Sequence, residues 1–400
     1  MNKVFCLSLF LSLFLSVFSA NAKNAPVVLL SIDGFSVKYI EQYKPKTLTK
    51  LTQQGLSSEG LVPVFPSKTF PNHLSIVTGK YPSEHGIIHN SFYRRDIKKG
   101  YTLGAGRDDA TWLKAEPIWV TAEKQGVTSA SYFWPESEAD YDHVAPTYRY
   151  AFDDSTPNEA RLAQIVTWLN LPEAQRPQFI TSYFSIVDSA GHTFGPNSVE
   201  TAESIEKVDT IIGDFLAELE RQNIAINLII VSDHGMLEIN NDSIIAMDSL
   251  SLSTDIDTVI NGQTQLYIYE EDAATIDATV NQLKQKSKGR FEVYKNGQYP
   301  ENWHLNFVDE RIPDFVAAAK PPYTFSSKHS TGKGTHGYNP TGIEGLSGIF
   351  IAKGPDIKNG RVAEFENIHV HAFMLGLLDL PESKISTLSP LMPYMAQHAH

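Results

Sequence analysis

The sequence predicts an α/β protein built on a largely parallel β-sheet flanked by helices. Almost continuous apolar runs at 25–32, 178–187 and 227–232 are typical of strands that are buried on both faces. Between these runs, apolar residues recur at helical spacing, most clearly over 158–169 and 199–222. The alternation of buried strands with helices is what distinguishes α/β folds from other fold classes.

Local signals place the remaining elements. Thr156-Pro157 predicts the start of the helix over 158–169, with Thr156 as the N-cap. A short helix is expected at 72–77, a strand at 348–353 and a closing helix at 368–378. From about 255 to 325 the composition changes, with strands expected at 264–269 and 291–294 around a helix at 273–288. We interpret this part as a small α+β insertion within a catalytic domain that spans 23–400.

Residues 1–22 are typical of a secretory signal peptide. Lys3 precedes an apolar run at 4–18, and Ala20-Asn21-Ala22 is a small-x-small cleavage site. The run is shorter than the roughly 20 residues of a membrane span, so no stable membrane anchor is expected. Cys6, the one cysteine, lies in this segment, which leaves the mature chain without disulfides. We therefore predict a bacterial protein that is periplasmic or secreted after cleavage near Ala22.

The charge balance restricts the class of partner. The formal net charge is −13 and becomes −14 when Lys3 is removed with the signal peptide. An acidic surface argues against a nucleic-acid-binding surface, which needs a basic face. A small anionic substrate remains compatible with it, because bound dications would invert the local field. The oligomeric state is left unknown by the sequence.

Carboxylates and imidazoles follow the predicted strands. In α/β sheets, ligands bind beyond the carboxyl ends of the strands, and each of the three runs is followed by an aspartate. A charged aspartate at a buried strand end is costly unless it is paired or bound to metal. Imidazole and carboxylate together are ligands for Zn²⁺, and two such ions can clamp an in-line phosphoryl displacement. The candidate ligands are Asp33, Asp188, His192, Asp233, His234 and His336.

Two uncharged polar residues add chemistry to this set. Thr69 precedes the predicted helix at 72–77, where its hydroxyl could serve only as a cap or could act as a nucleophile. A threonine hydroxyl needs a metal or base for attack, and the candidate ligands supply the metal. Asn90 follows a loop rich in turn residues and could donate a hydrogen bond to a phosphoryl oxygen.

Seven segments, in this order, together resemble the nucleotide pyrophosphatase/phosphodiesterase family of the alkaline phosphatase superfamily. The resemblance runs over nearly the whole mature chain and implies an alkaline-phosphatase-like core. One segment departs from the family: Trp134-Pro135 is followed by Glu136, where the family pattern is Trp-Pro-Gly. The segments are 30–35, 65–73, 81–87, 134–135, 188–192, 232–236 and 334–338.

The resemblance also implies the role of each site residue. Thr69 would be the nucleophile and a ligand of one of two zinc ions, and Asn90 would contact a phosphoryl oxygen. Phe70 and Tyr183 match positions that, in the family, sandwich a nucleobase or border the leaving-group pocket. The other ligands of the first zinc would be Asp33, Asp233 and His234, and those of the second Asp188, His192 and His336.

The resulting prediction is a hydrolase of nucleotide phosphodiester or pyrophosphate bonds. It would release 5′-nucleotides through a covalent phospho-threonine intermediate, with two Zn²⁺ per chain and a small-molecule phosphodiester or nucleotide as substrate. The main alternative is a phospholipid or choline-phosphodiester phosphodiesterase that uses the same site. A phosphomonoesterase would need extra positive charge to hold a dianionic phosphate, and no arginine of this sequence stands out as such a clamp. A sulfatase would need a Cys/Ser-x-Pro-x-Arg context that Thr69 does not have. A zinc-storage protein would leave the hydroxyl of Thr69 unexplained.

Overall fold

The structure, a computed structural model, describes residues 24–328, 332–381 and 389–396. The predicted signal peptide with Cys6 lies outside the described residues. The strands are β1 (Val27–Ile32), β2 (Leu56–Ser58), β3 (Leu61–Val62), β4 (Phe92–Arg94), β5 (Lys99–Tyr101), β6 (Ser129–Tyr132), β7 (Tyr148–Tyr150), β8 (Phe179–Phe184), β9 (Asn227–Val231), β10 (Leu237–Glu238), β11 (Ile244–Ala246), β12 (Thr258–Asn261), β13 (Gln265–Tyr269), β14 (Phe291–Lys295), β15 (Phe315–Ala319), β16 (Thr324–Ser326), β17 (Gly334–Thr335), β18 (Phe350–Lys353), β19 (Gly360–Val362) and β20 (Phe365–Glu366). The α-helices are α1 (Tyr39–Tyr43), α2 (Lys46–Gln54), α3 (Thr69–Thr78), α4 (Pro82–His85), α5 (Ile118–Lys124), α6 (Asn158–Leu169), α7 (Ile186–Phe194), α8 (Val199–Arg221), α9 (Met247–Leu250), α10 (Ala273–Ser287) and α11 (His369–Leu377).

The central sheet has the strand order β19-β2-β18-β9-β1-β8-β6-β7. β1 lies at its middle and pairs in parallel with β8 on one side and β9 on the other. β18 is antiparallel to both of its neighbours, β9 and β2. The predicted α/β class with a largely parallel sheet is therefore confirmed, and the three apolar runs seen in the sequence form three adjacent strands.

Helices cover both faces of this sheet. Val27 and Leu29 of β1 pack in a cluster with residues of α3, α5 and α11. The alternate residues Val28, Leu30 and Ile32 pack in a second cluster with residues of α2, α6 and α8. Because successive strand residues point to opposite faces, two apolar layers require an unbroken apolar run. This three-layer arrangement explains why β1, β8 and β9 could be recognised from the sequence.

A second, antiparallel sheet has the order β12-β13-β15-β14. Val280 and Leu283 of α10 pack with Leu266 and Phe315 of this sheet in one apolar cluster. The sheet lies within the segment that we predicted to be an α+β insertion, and its status as a separate domain stays a prediction. Among the described helices, none is long and apolar enough to cross a membrane.

The structure corrects three element boundaries. The run at 178–187 is not one strand, because β8 ends at Phe184 and α7 begins at Ile186. An apolar run cannot by itself distinguish a buried strand from the first turn of a buried helix. α6 begins after Pro157, so Thr156 is not its N-cap. α3 begins at Thr69 rather than at 72, and Pro71 fits in its first turn, where a missing N–H breaks no helical bond.

One buried carboxylate joins two helices on the same face of the sheet. Asp209 of α8 is 5 % exposed, and it accepts hydrogen bonds from the backbone N–H groups of Thr47 at 2.9 Å and Leu48 at 2.7 Å. Those N–H groups belong to the first turn of α2, which has no side-chain cap of its own. Asp209 therefore satisfies N–H groups that have no partner within the helix.

We expect Asp209→Ala to lower the free energy of unfolding by about 2 kcal/mol, because it leaves these two N–H groups without their acceptor. Urea unfolding of both variants measures the effect, with Asp214→Ala as the matched control. Asp214 is an exposed carboxylate on the same helix, and its loss should change stability by less than about 0.5 kcal/mol. Equal losses in the two variants would contradict the capping role.

Candidate metal centre and substrate cavity

Asp33 marks the end of β1 at the edge of the central sheet. Its side chain is 1 % exposed, and its Oδ2 accepts a hydrogen bond of 2.5 Å from the hydroxyl of Tyr183. The next residue, Gly34, has φ = +69°, and a Cβ atom there would lie 2.9 Å from the Cα of Asp188. Glycine is needed here because the turn approaches α7 too closely for any side chain.

Asp233 and His234 follow β9, next to β1. Both side chains are fully buried, and the Oδ1 of Asp233 accepts a hydrogen bond from the N–H of Gly34 at 3.3 Å. The Nε2 of His234 lies 3.0 Å from Asp233 Oδ2 and 3.6 Å from Asp33 Oδ1. The ends of two adjacent parallel strands thus bring two carboxylates and an imidazole together.

A second group lies beside the first. Asp188 is in the first turn of α7, and His192 is one turn later on the same helix face. The loop after β16 returns through β17 to His336, whose Nε2 lies 3.1 Å from His192 Nε2 and 3.6 Å from Asp188 Oδ1. The potential ligand atoms of Asp188, His234 and His336 lie within 4.8 Å of one another, as do those of Asp33, Asp233 and His234. His234 is therefore shared by the two groups.

Backbone carbonyls fix the orientation of all three imidazoles. The Nδ1 atoms of His234, His192 and His336 lie 2.9, 2.9 and 2.8 Å from the carbonyl oxygens of Gly235, Gly334 and Ser67. A carbonyl oxygen only accepts, so in each neutral ring Nδ1 carries the proton and Nε2 keeps its lone pair. This arrangement is typical of histidines that ligate a metal through Nε2.

Burial shifts the pKa values of the groups around His234. Burial, followed by repulsion from Asp233 and Asp188, raises the pKa of Asp33 well above its usual value. Burial and repulsion from Asp188 likewise raise the pKa of Asp233. Burial lowers the pKa of His234 and His336, so their rings are kept neutral. Without a bound cation, the site therefore favours protonated carboxyl groups and neutral imidazoles.

The residues present fit a divalent cation. Asp33 Oδ1, Asp188 Oδ1 and Asp233 Oδ2 are buried and have no hydrogen-bond partner among the described residues. Such oxygens are costly to bury, and here they face the Nε2 lone pairs of His234, His192 and His336 across 3.0–3.6 Å. Lone pairs and carboxylate oxygens that converge in this way repel one another unless a cation lies between them.

Thr69 lies at the N-terminal end of α3, next to this cluster. Its Oγ1 is 3.5 Å from the Nε2 of His234, and it makes no capping bond, since the N-cap position belongs to Lys68. Asn90 lies beside it: its Oδ1 accepts the N–H of Phe70 at 3.0 Å, which leaves its Nδ2 free to donate. A helix N-terminus with a hydroxyl and an amide donor is suited to binding a phosphoryl group.

His73 connects the first turn of α3 to strand β1. Its Nδ1 donates to the carbonyl of Thr69 at 2.8 Å, and its Nε2 accepts from the hydroxyl of Ser31 at 2.7 Å. Burial lowers the pKa of His73 to about 3, so the ring stays neutral although the Oδ2 of Asp233 lies 3.4 Å from its Nδ1. The nucleophile candidate is thereby tied to β1 through one imidazole.

A cavity of about 960 Å³ opens over the cluster. Phe70 and Tyr183 line it, and the hydroxyl of Tyr183 bonds Asp33. The substrate-binding roles of both residues stay predictions. Sequence reasoning missed the aromatic pair Phe133 and Phe152, whose rings lie 4.4 Å apart in the cavity wall. Only their aromatic character could have pointed to them, with Phe133 directly before the Trp134-Pro135 motif and Phe152 shortly before α6. Further lining residues that it missed are Leu103, Arg107, Glu136, Glu138, Asn261 and Gln263.

Comparison with solved structures identifies the fold. Murine ectonucleotide pyrophosphatase/phosphodiesterase 5 superposes with a TM-score of 0.84 and 25 % identity, covering 92 % of this chain and 99 % of the murine one. The human protein of the same name gives a TM-score of 0.83 and covers 91 % of this chain. An inactive threonine-to-alanine variant of the murine protein, in complex with AMP, also gives 0.83. The alkaline-phosphatase-like core implied by the sequence is therefore confirmed.

Sequence comparison identifies the family. Ectonucleotide pyrophosphatase/phosphodiesterase family member 3 of Rattus norvegicus is 33 % identical over 378 residues, and a venom phosphodiesterase of Naja atra is 33 % identical over 387 residues. This chain spans only 42 % and 44 % of the length of those two relatives, but 78 % of an uncharacterized pyrophosphatase/phosphodiesterase of Schizosaccharomyces pombe that is 32 % identical. The model of the type I phosphodiesterase/nucleotide pyrophosphatase family matches residues 27–339, and the chain belongs to that family.

Proposed function

We propose that this protein is a two-zinc phosphodiesterase and nucleotide pyrophosphatase that releases 5′-nucleotides. The observation that carries the proposal is the position of Thr69: a hydroxyl at a helix N-terminus, 3.5 Å from an imidazole of the metal-binding cluster. The names of the sequence relatives, which are phosphodiesterases and pyrophosphatases, support it.

The residues that would hold the metal ions form two sets. Asp33, Asp233, His234 and the Oγ1 of Thr69 would ligate one zinc, and Asp188, His192 and His336 the other. When bound, zinc lowers the pKa of a ligated hydroxyl or water and offsets negative charge on a phosphoryl group. Each set contains three carboxylate or imidazole side chains, and Thr69 adds a hydroxyl to the first set. Carboxylate and imidazole ligands suit zinc.

The chain's own groups then carry out two displacements. The Oγ1 of Thr69 attacks phosphorus in line, and the bond to the leaving alcohol or phosphate breaks as the threonine ester forms. The N-terminus of α3 and the Nδ2 of Asn90 stabilise negative charge on the phosphoryl oxygens. Water then attacks the same phosphorus and releases the 5′-nucleotide from Thr69. Two inversions give net retention of configuration.

The aromatic wall of the cavity favours a nucleotide as substrate. Phe70, Phe133 and Phe152 offer flat apolar surfaces beside the phosphoryl position, and flat bases stack well on such rings. The murine structural neighbour was solved in complex with AMP, a nucleotide product of the proposed kind. A phosphorylcholine diester is the second candidate, because aromatic rings also bind quaternary ammonium groups.

A phosphomonoesterase fits the cavity less well, since a dianionic phosphate needs additional positive charge. Within the described part of the chain, the cationic residues that line the cavity are Lys68 and Arg107. Arg107 lies at the rim with 58 % of its side chain exposed, and it pairs with Glu138 at 3.5 Å. An exported location, periplasmic or secreted, remains part of the proposal and rests on the predicted signal peptide.

Thr69→Ala should lower kcat by roughly 10⁴-fold or more, because the attacking oxygen is lost. Zinc content should stay near that of wild type, since the three-residue ligand sets remain. Thr78→Ala is the matched control: Thr78 is a buried threonine of the same helix whose hydroxyl bonds only the carbonyl of Leu74. Full activity of Thr69→Ala, or net inversion at phosphorus with a chiral phosphorothioate diester, would refute the covalent intermediate.

Zinc removal should lower the melting temperature and abolish turnover, and zinc should restore both. Saturating zinc stabilises the folded state by about 4 kcal/mol when free zinc exceeds its dissociation constant a thousandfold.

The effect of zinc should also depend on pH. The pKa values of Asp33 and Asp233 are raised in the metal-free fold, so that fold binds protons and loses stability as the pH rises through those values. Zinc binds the ionised carboxylates, which become available over the same rise in pH. The zinc-dependent gain in melting temperature should therefore grow as the pH rises, and an equal gain at acidic and neutral pH would contradict this assignment.

The decisive test of the substrate class compares two chromogenic diesters on the zinc-loaded protein. We expect kcat/KM for the 4-nitrophenyl ester of thymidine 5′-monophosphate to exceed that for 4-nitrophenyl phosphorylcholine by about tenfold or more, because only the base can stack on the phenylalanine wall. A preference for the phosphorylcholine ester would move the protein to choline-diester or lipid turnover with the same metal site.

A further inference from the structure

Glu136 is a buried carboxylate that the proposed mechanism does not use. Its side chain lies in the turn after β6, the residue is 3 % exposed, and its φ is +64°. Glycine adopts this left-handed conformation without strain, whereas other residues avoid it. A glutamate persists there only when its surroundings hold it in place. The contacts of its carboxylate identify what holds it.

One contact is a hydrogen bond from the hydroxyl of Tyr101 to the Oε1 of Glu136. Tyr101 ends β5 and is fully buried. Its ring stacks on Phe92, with centroids 4.7 Å apart, and meets Trp112 edge-on at 5.4 Å. Because two neighbouring aromatic rings hold the ring of Tyr101 in place, its hydroxyl is a rigid anchor for the carboxylate.

The other carboxylate oxygen lies against the backbone of Gly106. A Cβ atom at position 106 would come within 2.1 Å of the Oε2 of Glu136, so any side chain there would displace it. Oε2 is buried without a well-formed hydrogen bond to the described residues. Burial raises the pKa of Glu136, and the Tyr101 hydroxyl and the Gly106 N–H offset part of the increase. The carboxylate is thus enclosed between Tyr101 and the chain at Gly106.

These contacts join two segments of the cavity wall. Leu103, Gly104 and Arg107 line the cavity from one segment, and Phe133 and Glu138 line it from the turn that contains Glu136. A second link, Arg107 to Glu138 at 3.5 Å, involves a largely exposed arginine and contributes little. Glu136 is therefore a buried connection between turn 133–138 and the chain that runs from Tyr101 through segment 103–107.

We propose that Glu136 is a specificity-determining residue, which braces segment 103–107 against turn 133–138 and so fixes the width of the part of the cavity that receives the nucleoside. The inference rests on the proposed function, because it assigns the phenylalanine-lined part of the cavity to the nucleoside. The carboxylate of Glu136 contacts Tyr101 and Gly106 rather than Thr69 or the candidate ligands. It acts on substrate binding and leaves phosphoryl transfer to the metal-site residues.

Two variants remove the brace from opposite sides. Tyr101→Phe deletes the hydroxyl and keeps the ring in its aromatic cluster, and Glu136→Gly deletes the carboxylate while relieving the positive φ. Each should raise KM for the 4-nitrophenyl ester of thymidine 5′-monophosphate about tenfold, the factor expected when a buried charge-assisted hydrogen bond no longer holds a binding surface. The kcat should stay within about twofold, and kcat/KM for methyl 4-nitrophenyl phosphate, which has no nucleoside, should not change.

Two controls separate the brace from a general loss of structure. Tyr299→Phe removes a buried hydroxyl, bonded to the carbonyl of Pro313, from the same aromatic cluster and should leave KM unchanged. Glu136→Gln keeps an acceptor for Tyr101 and should keep KM near the wild-type value. An unchanged KM in Tyr101→Phe and Glu136→Gly, or an equal fall in kcat/KM for both esters, would overturn the proposal.

The same assay separates this inference from the proposed function. If the wild-type protein hydrolyses the methyl ester as efficiently as the nucleotide ester, the nucleotide assignment fails, and the brace proposal fails with it. If the wild type prefers the nucleotide ester but the two brace variants keep that preference, only the role of Glu136 is refuted. Selective loss of the nucleotide preference in both variants supports the proposal.

Discussion

The mutual repulsion of three carboxylates at one edge of the central sheet is the constraint on which the rest of the site depends. Asp33, Asp188 and Asp233 each keep an oxygen without a hydrogen-bond partner in the described structure, and burial raises the pKa of two of them. Within the described residues, the ion-pair partners of these carboxylates are histidines. Three imidazoles face the carboxylates, each fixed by a backbone carbonyl. Carboxylate oxygens and imidazole nitrogens that converge in this way are a donor set suited to a divalent cation.

The position of Thr69, the proposed nucleophile, follows from the same sheet edge. α3 packs against the face of the sheet formed by Val27 and Leu29, and its first residue is Thr69. His73 connects that first turn to Ser31, two residues before Asp33, so the hydroxyl and the nearest carboxylate are fixed relative to the same strand. Displacement of a reactive group by about 1 Å can cost two orders of magnitude in rate, which makes such a connection functionally important.

The candidate metal ligands and the phenylalanine wall come from different parts of the chain. The candidate ligands follow strand ends or lie in α7, whereas the phenylalanine wall comes from loops near β6 and β7 and from α3. The family includes proteins named as nucleotide pyrophosphatases and as venom phosphodiesterases, and this chain spans less than half of several of them. Glu136, a buried residue with a positive φ, belongs to the cavity wall rather than to the candidate ligand set.

The sequence by itself determined the buried parallel strands and the identity of the polar groups at their ends. β1 and β9 read as unbroken apolar runs because helices cover both faces of the sheet, and α6 and α8 followed from helical periodicity. The tertiary structure alone decided that Asp188 lies inside a helix, that His234 is shared by two groups, and that the Tyr183 hydroxyl bonds Asp33. It also placed Glu136 between Tyr101 and Gly106. Periodicity reports which face of an element is buried, but these contacts join residues far apart in the chain, and their distances are set only when the layers pack together.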